Sequence, residues 1–467
     1  MLSSIIRSHM RVLIPAMLRR ASRLQSALKV LNARWMSASS ISAPFPATFQ
    51  FEREELSATG QHFPVVFGAK AAANHLGAVA RRSGIQKMLV VRDSDVGADK
   101  RTQYVEFLLL QAGIPCFHYT LKRDCATLED VDDGLATAQR VGADGVLAFG
   151  GGNASDMARA IAVMMSNDGS ASELQARFDS TDINQPAPHI ILPTVAGAGA
   201  EISTHALVLD EEAEAKQSFV SLPILAEALI VDPALAVSVP LHQTVQGALT
   251  ALTQCIESYV YGCEDDKTQA MALEGVHAIA GALAKPLVDG KMDLKSIPMR
   301  EKMALGSLVS GVCANSSGYG AAHAIAVSVG GISDLPHAQV AAAFAPLVLD
   351  RYASLAADNA GDEFFDELAT KLAVVNDALT ASSGFQGATV GAWVRYVERH
   401  FGLPSASALE LDDDHVKGIV ERAVQRMEDC MTDKKEDPVF EKDDIQAIVD
   451  DVVVAGGSKS SDGAKQS

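Results

Sequence analysis

A run of three glycines, Gly150, Gly151 and Gly152, is the part of this sequence best suited to hold a charged ligand. The apolar residues 145–149 before it predict a buried strand, and residues 157–163 after it have helical spacing. Glycines at such a turn let the backbone approach a ligand, and the helix directs its free N–H groups at that ligand. The turn predicts a pyrophosphate site. Because its spacing is not G-x-G-x-x-G, a turn that binds nothing is the alternative.

The glycine turn belongs to a series of motifs that resembles a known family. Residues 193–203 read PTVAGAGAEIS and resemble the P-T-T-x-G-T-G-S-E-x-T segment of the iron-containing (group III) alcohol dehydrogenases. The turn and Asp156 resemble their G-G-G-S-x-x-D motif, with Asn153 at the serine position. Residues 230–240 contain their D-P…P element, and residues 318–337 follow their histidine-containing segment. The motifs occur in the family's order, so the sequence is identified as a member of this superfamily.

The resemblance implies a nicotinamide dinucleotide at the glycine turn. Asp93 follows a predicted strand, where a carboxylate accepts hydrogen bonds from ribose hydroxyls and repels a 2′-phosphate, so NAD is expected rather than NADP. The alternatives are Asp95 in this role, or Asp93 as a cap of a helix or turn. The other nucleotide contacts implied are those of Gly150, Gly151, Gly152, Asp156, Thr194, Ser203 and Lys216.

The resemblance breaks at the metal site. The family holds one divalent metal, usually iron or zinc, with an Asp and a His four residues apart and two more histidines fourteen apart. Here Thr250 and Gln254 occupy the first two positions, whereas His323 and His337 keep the second pair. A further active-site histidine of the family is Val327 here. Two imidazoles with a neutral amide and a hydroxyl bind divalent ions poorly, so we expect weak metal binding or none.

A second resemblance concerns metal-free chemistry. Residues 330–338 resemble the G-G-x-x-D-L-P-H-A stretch of the maleylacetate reductases, which belong to the same superfamily and work without a bound metal. It implies His323 or His337 as general acid. Arg159, which replaces the family's usual Lys, would be the electrostatic stabiliser.

Several interpretations therefore stay open. The first is an NAD(P)-dependent oxidoreductase that moves hydride between the nicotinamide and a small alcohol, aldehyde or keto compound. The others are a metal-independent reductase similar to maleylacetate reductase, or a nucleotide-binding homologue without activity. A metal site shifted to Glu257 or Glu201 has no support from the spacing.

The elements that must position these residues fall into two groups. Up to residue 232, strands predicted at 88–91, 115–119, 146–149 and 190–192 alternate with helices, which indicates a Rossmann-like parallel sheet in an α/β domain. Beyond it, the residues predict only helices, at 245–260, 268–284, 300–312, 321–329 and 340–349. We therefore predict a dinucleotide-binding domain over residues 52–232 and an all-helical domain over 233–455. The resemblance implies an active site in the cleft between them.

The two ends of the chain predict targeting and disorder. Residues 1–40 are rich in Arg and Ser and contain no Asp or Glu, which is typical of a mitochondrial transit peptide. We expect cleavage near residues 35–36 and a location in the matrix; a basic arm that binds nucleic acid is the alternative. Residues 456–467 are mostly Gly, Ser, Lys and Asp and predict a disordered tail.

Composition limits the partners. The formal charge is −19, and it becomes about −26 without the seven basic residues of the N-terminal segment. Such an acidic surface argues against nucleic acid or an anionic membrane as a binding partner. We find no apolar stretch of the ~18–20 residues that span a bilayer. Six scattered cysteines fit reduced thiols. A small-molecule substrate is expected, and the family resemblance implies a homo-oligomer.

Overall fold

The computed structural model describes residues 49–51, 65–94, 100–176, 183–203, 205–219, 224, 226–262, 266–411, 413–430 and 439–457. The predicted transit peptide, Asp95 and all but the first two residues of the predicted tail lie outside these ranges.

The first half of the chain forms the predicted α/β domain around a seven-stranded sheet. The strands of this sheet are β1 (Phe49–Phe51), β2 (Val65–Phe67), β3 (Met88–Arg92), β4 (Cys116–Thr120), β5 (Gly145–Gly150), β6 (His189–Pro193) and β9 (Ala228–Val231). They lie in the order β1-β2-β9-β6-β5-β3-β4, and only the β1–β2 pair is antiparallel. A separate antiparallel hairpin consists of β7 (Leu207–Asp210) and β8 (Ala215–Ser218).

Helices cover both faces of the sheet. They are α1 (Ala71–Arg82), α2 (Lys100–Gln111), α3 (Leu128–Val141), α4 (Gly152–Met164) and α5 (Ala171–Ala176). Alternate residues of β5 divide between two apolar layers: Val146 and Ala148 join the layer that contains α4, and Leu147 and Phe149 join the layer of α1 and α2. Because both faces are covered, the central strands are continuous apolar runs rather than alternating ones.

After β9, the described residues form only helices and turns, as predicted. The long helices are α6 (Leu241–Glu257), α7 (Asp266–Asp289), α8 (Ile297–Ser317), α9 (Ala321–Val329), α10 (His337–Asp358), α11 (Glu363–Ser383), α12 (Val390–Phe401), α13 (Asp413–Cys430) and α14 (Lys442–Gly457). Their apolar faces share one core, which is rich in Ala, Val and Leu. The predicted fold class is therefore confirmed, although most of the predicted helices are longer than their apolar patterns indicated.

The expectation that no apolar stretch is long enough to span a bilayer was wrong for two helices. The stretches Thr268–Asp289 and His337–Asp358 are long and apolar enough to cross a membrane. More than half of each is buried, because α7 packs against α8 and α11, and α10 packs against α6 and α12. Core helices of soluble proteins have the same composition, so this is weak evidence for a membrane span.

The topology fixes where a ligand can enter the sheet. Strand β3 lies between β4 and β5. The chain therefore adds β4 on one side of β3 and then crosses back to add β5 on the other side. Ligands of open parallel sheets bind outside the carboxyl ends of strands at such a switch. Asp93 follows β3 and Gly150 ends β5, so both predicted nucleotide contacts lie at this edge.

Candidate active site in the cleft between the domains

The glycine turn and Asp93 form one hydrogen-bonded unit. The N–H of Gly151 donates to Asp93 Oδ2 at 2.5 Å, and the N–H of Ala154 donates to Asp93 Oδ1 at 3.1 Å. A Cβ atom on Gly150 would lie 2.5 Å from the same carboxylate, so this position requires glycine. Asp93 thus acts as a cap of α4 across the turn, which is the alternative role considered for it.

Arg159 lies under the glycine turn and not in open solvent, with 1% of its side chain exposed. Its Nη2 donates to the carbonyl oxygens of Ala200 at 2.8 Å and Glu201 at 3.0 Å. Its Nη1 lies 3.5 Å from Asp156 Oδ1. Burial raises the pKa of Asp156 to about 7, and the Arg159 charge opposes that rise. Arg159 therefore fastens α4 to residues 193–203, and its role as an electrostatic stabiliser stays a prediction.

Residues 193–203 join the two domains, and glycines allow the close approach. Gly199 has a φ of 72°, and a Cβ atom there would lie 2.3 Å from the Cα of Gly311 on α8. A Cβ on Gly247 of α6 would lie 2.0 Å from the Ala196 carbonyl oxygen. The Oγ of Ser307, also on α8, accepts the N–H of Gly197 at 2.8 Å. This segment is therefore held between the sheet domain and two helices.

Thr250 and Gln254 lie one turn apart on α6, and their donors are used for backbone contacts. Thr250 Oγ1 donates to the Gln246 carbonyl at 2.9 Å. Gln254 Nε2 contacts the carbonyls of Ala198 and Ser310, both at 2.9 Å. The Oε1 of Gln254 is buried without a hydrogen-bond partner in the described structure. Gln254 thus fastens residues 193–203 to the helical domain and leaves one amide oxygen free.

The two histidines predicted for the site meet in space. The ring centroids of His323 on α9 and His337 on α10 are 4.9 Å apart, and Tyr319 stacks on His323 at 4.1 Å. Both ring nitrogens of His323 and the Nε2 of His337 are buried without a hydrogen-bond partner among the described residues. Unpaired polar atoms are costly inside a protein, which marks this pair as a place for a ligand.

The electrostatics keep both imidazoles neutral. The pKa of His337 is lowered to about 3, mainly by burial and to a smaller extent by the charges of Lys216 and Arg426. Burial also takes the pKa of His323 well below its usual value, with His337 and Arg426 adding to the effect. At neutral pH each ring is therefore an uncharged group with one N–H donor and one acceptor nitrogen.

Glu257 holds the helix that carries His323, a role that the sequence did not reveal. Its carboxylate accepts the N–H of Ala322 and the hydroxyl of Tyr352, both at 3.5 Å. A Cβ on Gly320, the N-terminal cap of α9, would lie 2.2 Å from the Glu257 carboxyl carbon. Burial raises the pKa of Glu257 to about 7. Its sequence spacing gave no signal for this contact, because the partners are 63 or more residues away.

Comparisons with known proteins agree with this geometry. The family model "Iron-containing alcohol dehydrogenase" matches residues 64–233, and the model of the family's C-terminal part matches residues 244–453. The chain belongs to the iron-containing alcohol dehydrogenase family. The family resemblance drawn from the motifs is thereby confirmed, and the chain is an alcohol dehydrogenase-type oxidoreductase.

Individual relatives are more distant. Choline dehydrogenase of Bacillus subtilis (strain 168) is 30% identical over 60% of this chain and 69% of its own length. The probable alcohol dehydrogenase EutG of Escherichia coli (strain K12) is 28% identical over 74% of this chain and 87% of its own. A 1,3-propanediol oxidoreductase structure has a TM-score of 0.67 at 23% identity, covering 83% of this chain and 97% of that one. Maleylacetate reductase from Agrobacterium tumefaciens has a TM-score of 0.61 at 22% identity, covering 84% and 96%.

The metal implied by the iron-containing alcohol dehydrogenase family does not fit the residues present. No group of three or more His, Cys, Asp or Glu side chains suited to a metal ion occurs in the described ranges. The two histidines have no carboxylate beside them at position 250, and the hydroxyl of Thr250 already bonds to Gln246. A dication would also face the positive charges of Lys216 and Arg426. The donor set therefore favours chemistry without a resident divalent ion.

Two of the predicted nucleotide contacts, Thr194 and Ser203, differ in how their hydroxyls are bonded. Thr194 is buried, its hydroxyl has no hydrogen-bond partner among the described residues, and it lines a small cavity of about 20 Å³ with Asp232 and Arg300. The Oγ of Ser203 accepts the N–H of His205 and donates to its carbonyl, both at 3.1 Å. The Ser203 hydroxyl is thus bonded locally, whereas the Thr194 hydroxyl is buried and has no partner among the described residues. Lys216 lies beside Gly330 at the end of α9, where a Cβ atom on Gly330 would be 2.9 Å from its Nζ, and its charge contributes to the lowered pKa of His337.

Proposed function

We propose that this protein is an NAD(P)-dependent oxidoreductase that moves hydride between the nicotinamide and a small alcohol, aldehyde or keto compound without a resident divalent metal. The observation that supports this proposal most strongly is the position of residues 193–203. Through Ala200 they contact Arg159 on α4, the helix that follows the glycine turn. Through Ala198 they contact Gln254 on α6, the helix whose Thr250 lies 3.4 Å from the carbonyl oxygen of Ala338, next to His337. A cofactor at the turn and a substrate at the histidines would share one cleft.

The glycine turn suits a dinucleotide. Gly152 is exposed at the start of α4, where the helix N-terminus favours a pyrophosphate. Asp93 beside it can accept the ribose hydroxyls and repel a 2′-phosphate, so we propose NAD rather than NADP. When bound, the nicotinamide supplies or accepts the hydride.

The histidines supply the electrostatics of the reaction. A neutral imidazole N–H aimed at a carbonyl oxygen stabilises the negative charge that develops there as hydride arrives. That charge raises the pKa of the nearby imidazole, so the ring can take up a proton from solvent at its acceptor nitrogen while it passes its N–H proton to the oxygen. The low pKa of both rings argues against a histidine that is charged beforehand as general acid. In alcohol oxidation the step runs in reverse: the nitrogen that faces the alcohol is then the acceptor and takes its proton, and the other nitrogen releases one to solvent.

The test combines metal content with turnover. We expect the purified chain to hold far less than one equivalent of iron or zinc by elemental analysis, and to oxidise NADH with small carbonyl compounds. EDTA should change this rate less than twofold, whereas His323→Ala should lower it roughly 100-fold. The double variant Thr250→Asp/Gln254→His restores the family's ligands and serves as the positive control for metal uptake.

Two results would reject parts of the proposal. Inactivation by EDTA that iron or zinc reverses would overturn the metal-free chemistry. NADH binding without turnover of any carbonyl compound would indicate the inactive homologue instead.

The location and assembly are proposals as well. We propose that residues 1–40 direct the protein to the mitochondrial matrix, which fusion of this segment to a fluorescent protein tests by microscopy. We also propose a homo-oligomer with no nucleic-acid or membrane partner, which sedimentation of the purified chain tests.

A further inference from the structure

Strand β4 forms one edge of the seven-stranded sheet, on the side away from the helical domain's core. Among the described residues, β3 is the only strand that pairs with it, so its outer side has no strand beside it. Its residues, CFHYT, include neither Lys nor Pro, which commonly block the edge of a sheet against further pairing. The edge is therefore open to another strand.

The backbone shows which groups of β4 are available. The N–H of Met88 donates to the Pro115 carbonyl at 3.0 Å, and the N–H of Leu121 donates to the Arg92 carbonyl at 2.9 Å, so residues 115 and 121 face β3. Backbone groups alternate between the two sides of a strand. Residues 116, 118 and 120 therefore direct their N–H and C=O groups away from the sheet.

Apolar side chains are exposed on both faces of the sheet beside this edge. Side chains of a strand alternate between faces, and His118 Nε2 lies 2.6 Å from Oε1 of Glu106 on α2, so Phe117 belongs to the face opposite α2. Phe117 is 40% exposed. On the face of α2, Leu110 is 69% exposed and Phe107 is 52% exposed. Because Leu110 is one turn beyond Glu106, it lies on the side of α2 that faces the β4 edge.

The charge of this face suits a second copy of the same chain. The chain has a net charge of −19, so its copies repel one another across most of their surfaces. In α2 and β4, Glu106 is the only acidic residue, and it is paired with His118. Lys100 and Arg101 add positive charge at the start of α2. A basic partner would find no free carboxylate on these two elements.

We propose that two copies of this protein associate through β4, with the two strands antiparallel about a two-fold axis at His118. Residue 118 of each copy would exchange both of its outward hydrogen bonds with residue 118 of the other, and residue 116 would lie opposite residue 120. The two sheets would become one. Helix α2 would lie beside its copy on one face and cover Phe107 and Leu110, while the other face would cover Phe117. This inference rests on the proposed homo-oligomer and is independent of the proposed hydride transfer.

The experiment combines sedimentation with amide hydrogen exchange of the purified chain. The test variant is Leu110→Glu, which places a charge in the interface at a position that is exposed within one copy. The control is Val288→Glu on α7, which adds the same charge at another exposed apolar position, 79% exposed. Thermal unfolding of both variants reports whether each copy still folds.

The parent chain and Val288→Glu should sediment as a dimer. Leu110→Glu should raise the dissociation constant of the dimer roughly 100-fold at unchanged fold, because burying the new charge is costly. In the parent, the amides of residues 116, 118 and 120 should exchange slowly with solvent. In Leu110→Glu they should exchange faster by roughly 10-fold or more, whereas the amides of residues 117 and 119, which face β3, should not change.

Three results would overturn the inference. A parent chain that sediments as a monomer rejects both the homo-oligomer and this interface. An oligomer that persists in Leu110→Glu, with fast exchange at residues 116, 118 and 120, rejects this interface alone and assigns the association to another face. Slow exchange of these amides in a monomeric Leu110→Glu would mean that the edge is protected within one copy. NADH turnover decides none of these results, so a failure of the proposed hydride transfer is measured separately.

Discussion

The two ends of the cleft are built from different parts of the chain. At the glycine turn, Asp93 accepts the N–H groups of Gly151 and Ala154, and the predicted ligand contacts are the other backbone N–H groups at the start of α4. At the histidine pair, the unpartnered polar atoms belong to side chains, those of His323 on α9 and His337 on α10. The turn therefore depends on glycine and helix geometry, whereas the histidine end depends on each residue separately.

This difference explains why one end follows the family and the other departs from it. A helix N-terminus attracts phosphate whatever the side chains further along the helix. A metal site needs its full ligand set, and Thr250 with Gln254 removes a charge and a strong donor together. Where the family places a dication beside a carboxylate, this chain places the cations Lys216 and Arg426 beside neutral groups.

The largest effect is expected at Gly199, which joins the two ends. Alanine at this position would adopt a positive φ and bring its Cβ within 2.3 Å of the Gly311 backbone. Strain and overpacking together should lower the free energy of unfolding by about 3–4 kcal/mol. Urea unfolding of Gly199→Ala measures this loss.

The matched control is Gly384→Ala. Gly384 has the same φ of 72°, but no heavy atom lies within 4 Å of its added Cβ. It should cost about 1 kcal/mol, from backbone strain alone. If the two variants lose equal stability, the close contact between residues 193–203 and α8 does not hold the domains together.

The next largest effect is a pH-dependent change in stability caused by Glu257, which accepts the N–H of Ala322 at the start of the helix that carries His323. Burial raises the pKa of this carboxyl from 4.5 to about 7, so the folded protein holds the proton more tightly than the unfolded chain. This favours folding below pH 4.5, and the gain is lost as the pH rises through 7. Glu257→Gln removes the titration, so its stability relative to the parent should increase by about 3 kcal/mol between pH 4.5 and 8.

Urea unfolding at several pH values checks this change. The exposed Glu274→Gln is the control and should show no such trend. A constant difference between Glu257→Gln and the parent across this pH range would mean that Glu257 does not carry a raised pKa. Asp156, whose pKa is raised in the same direction, is common to both proteins and cancels in the comparison.

The features that could be predicted from the sequence also differ between the glycine turn and the histidine pair. Strand β5 and the glycine turn were predictable because apolar runs and glycines are local signals. The meeting of His323 and His337 was expected only from the family spacing. Arg426 and Glu257 could not be assigned, because their partners lie on helices distant in sequence, and helical patterns do not say which helices touch. The contact of Arg159 with residues 193–203 could not be predicted either, because it is a tertiary feature.

The smallest expected loss of stability is at Asp93, the side chain that accepts N–H groups of the glycine turn. Asp93→Ala removes the acceptor for Gly151 and Ala154 and should cost about 1–2 kcal/mol of unfolding free energy. Asp93→Asn keeps a capping oxygen but loses the charge, so its stability should fall less. If the carboxylate also faces the ribose, both variants should raise the kcat/KM of NADPH relative to NADH by about 10-fold. A ratio that stays constant in Asp93→Asn while Asp93→Ala is destabilised would show that Asp93 is only a cap. Cofactor choice would then be set by another residue, and the glycine turn would bind phosphate through backbone groups alone.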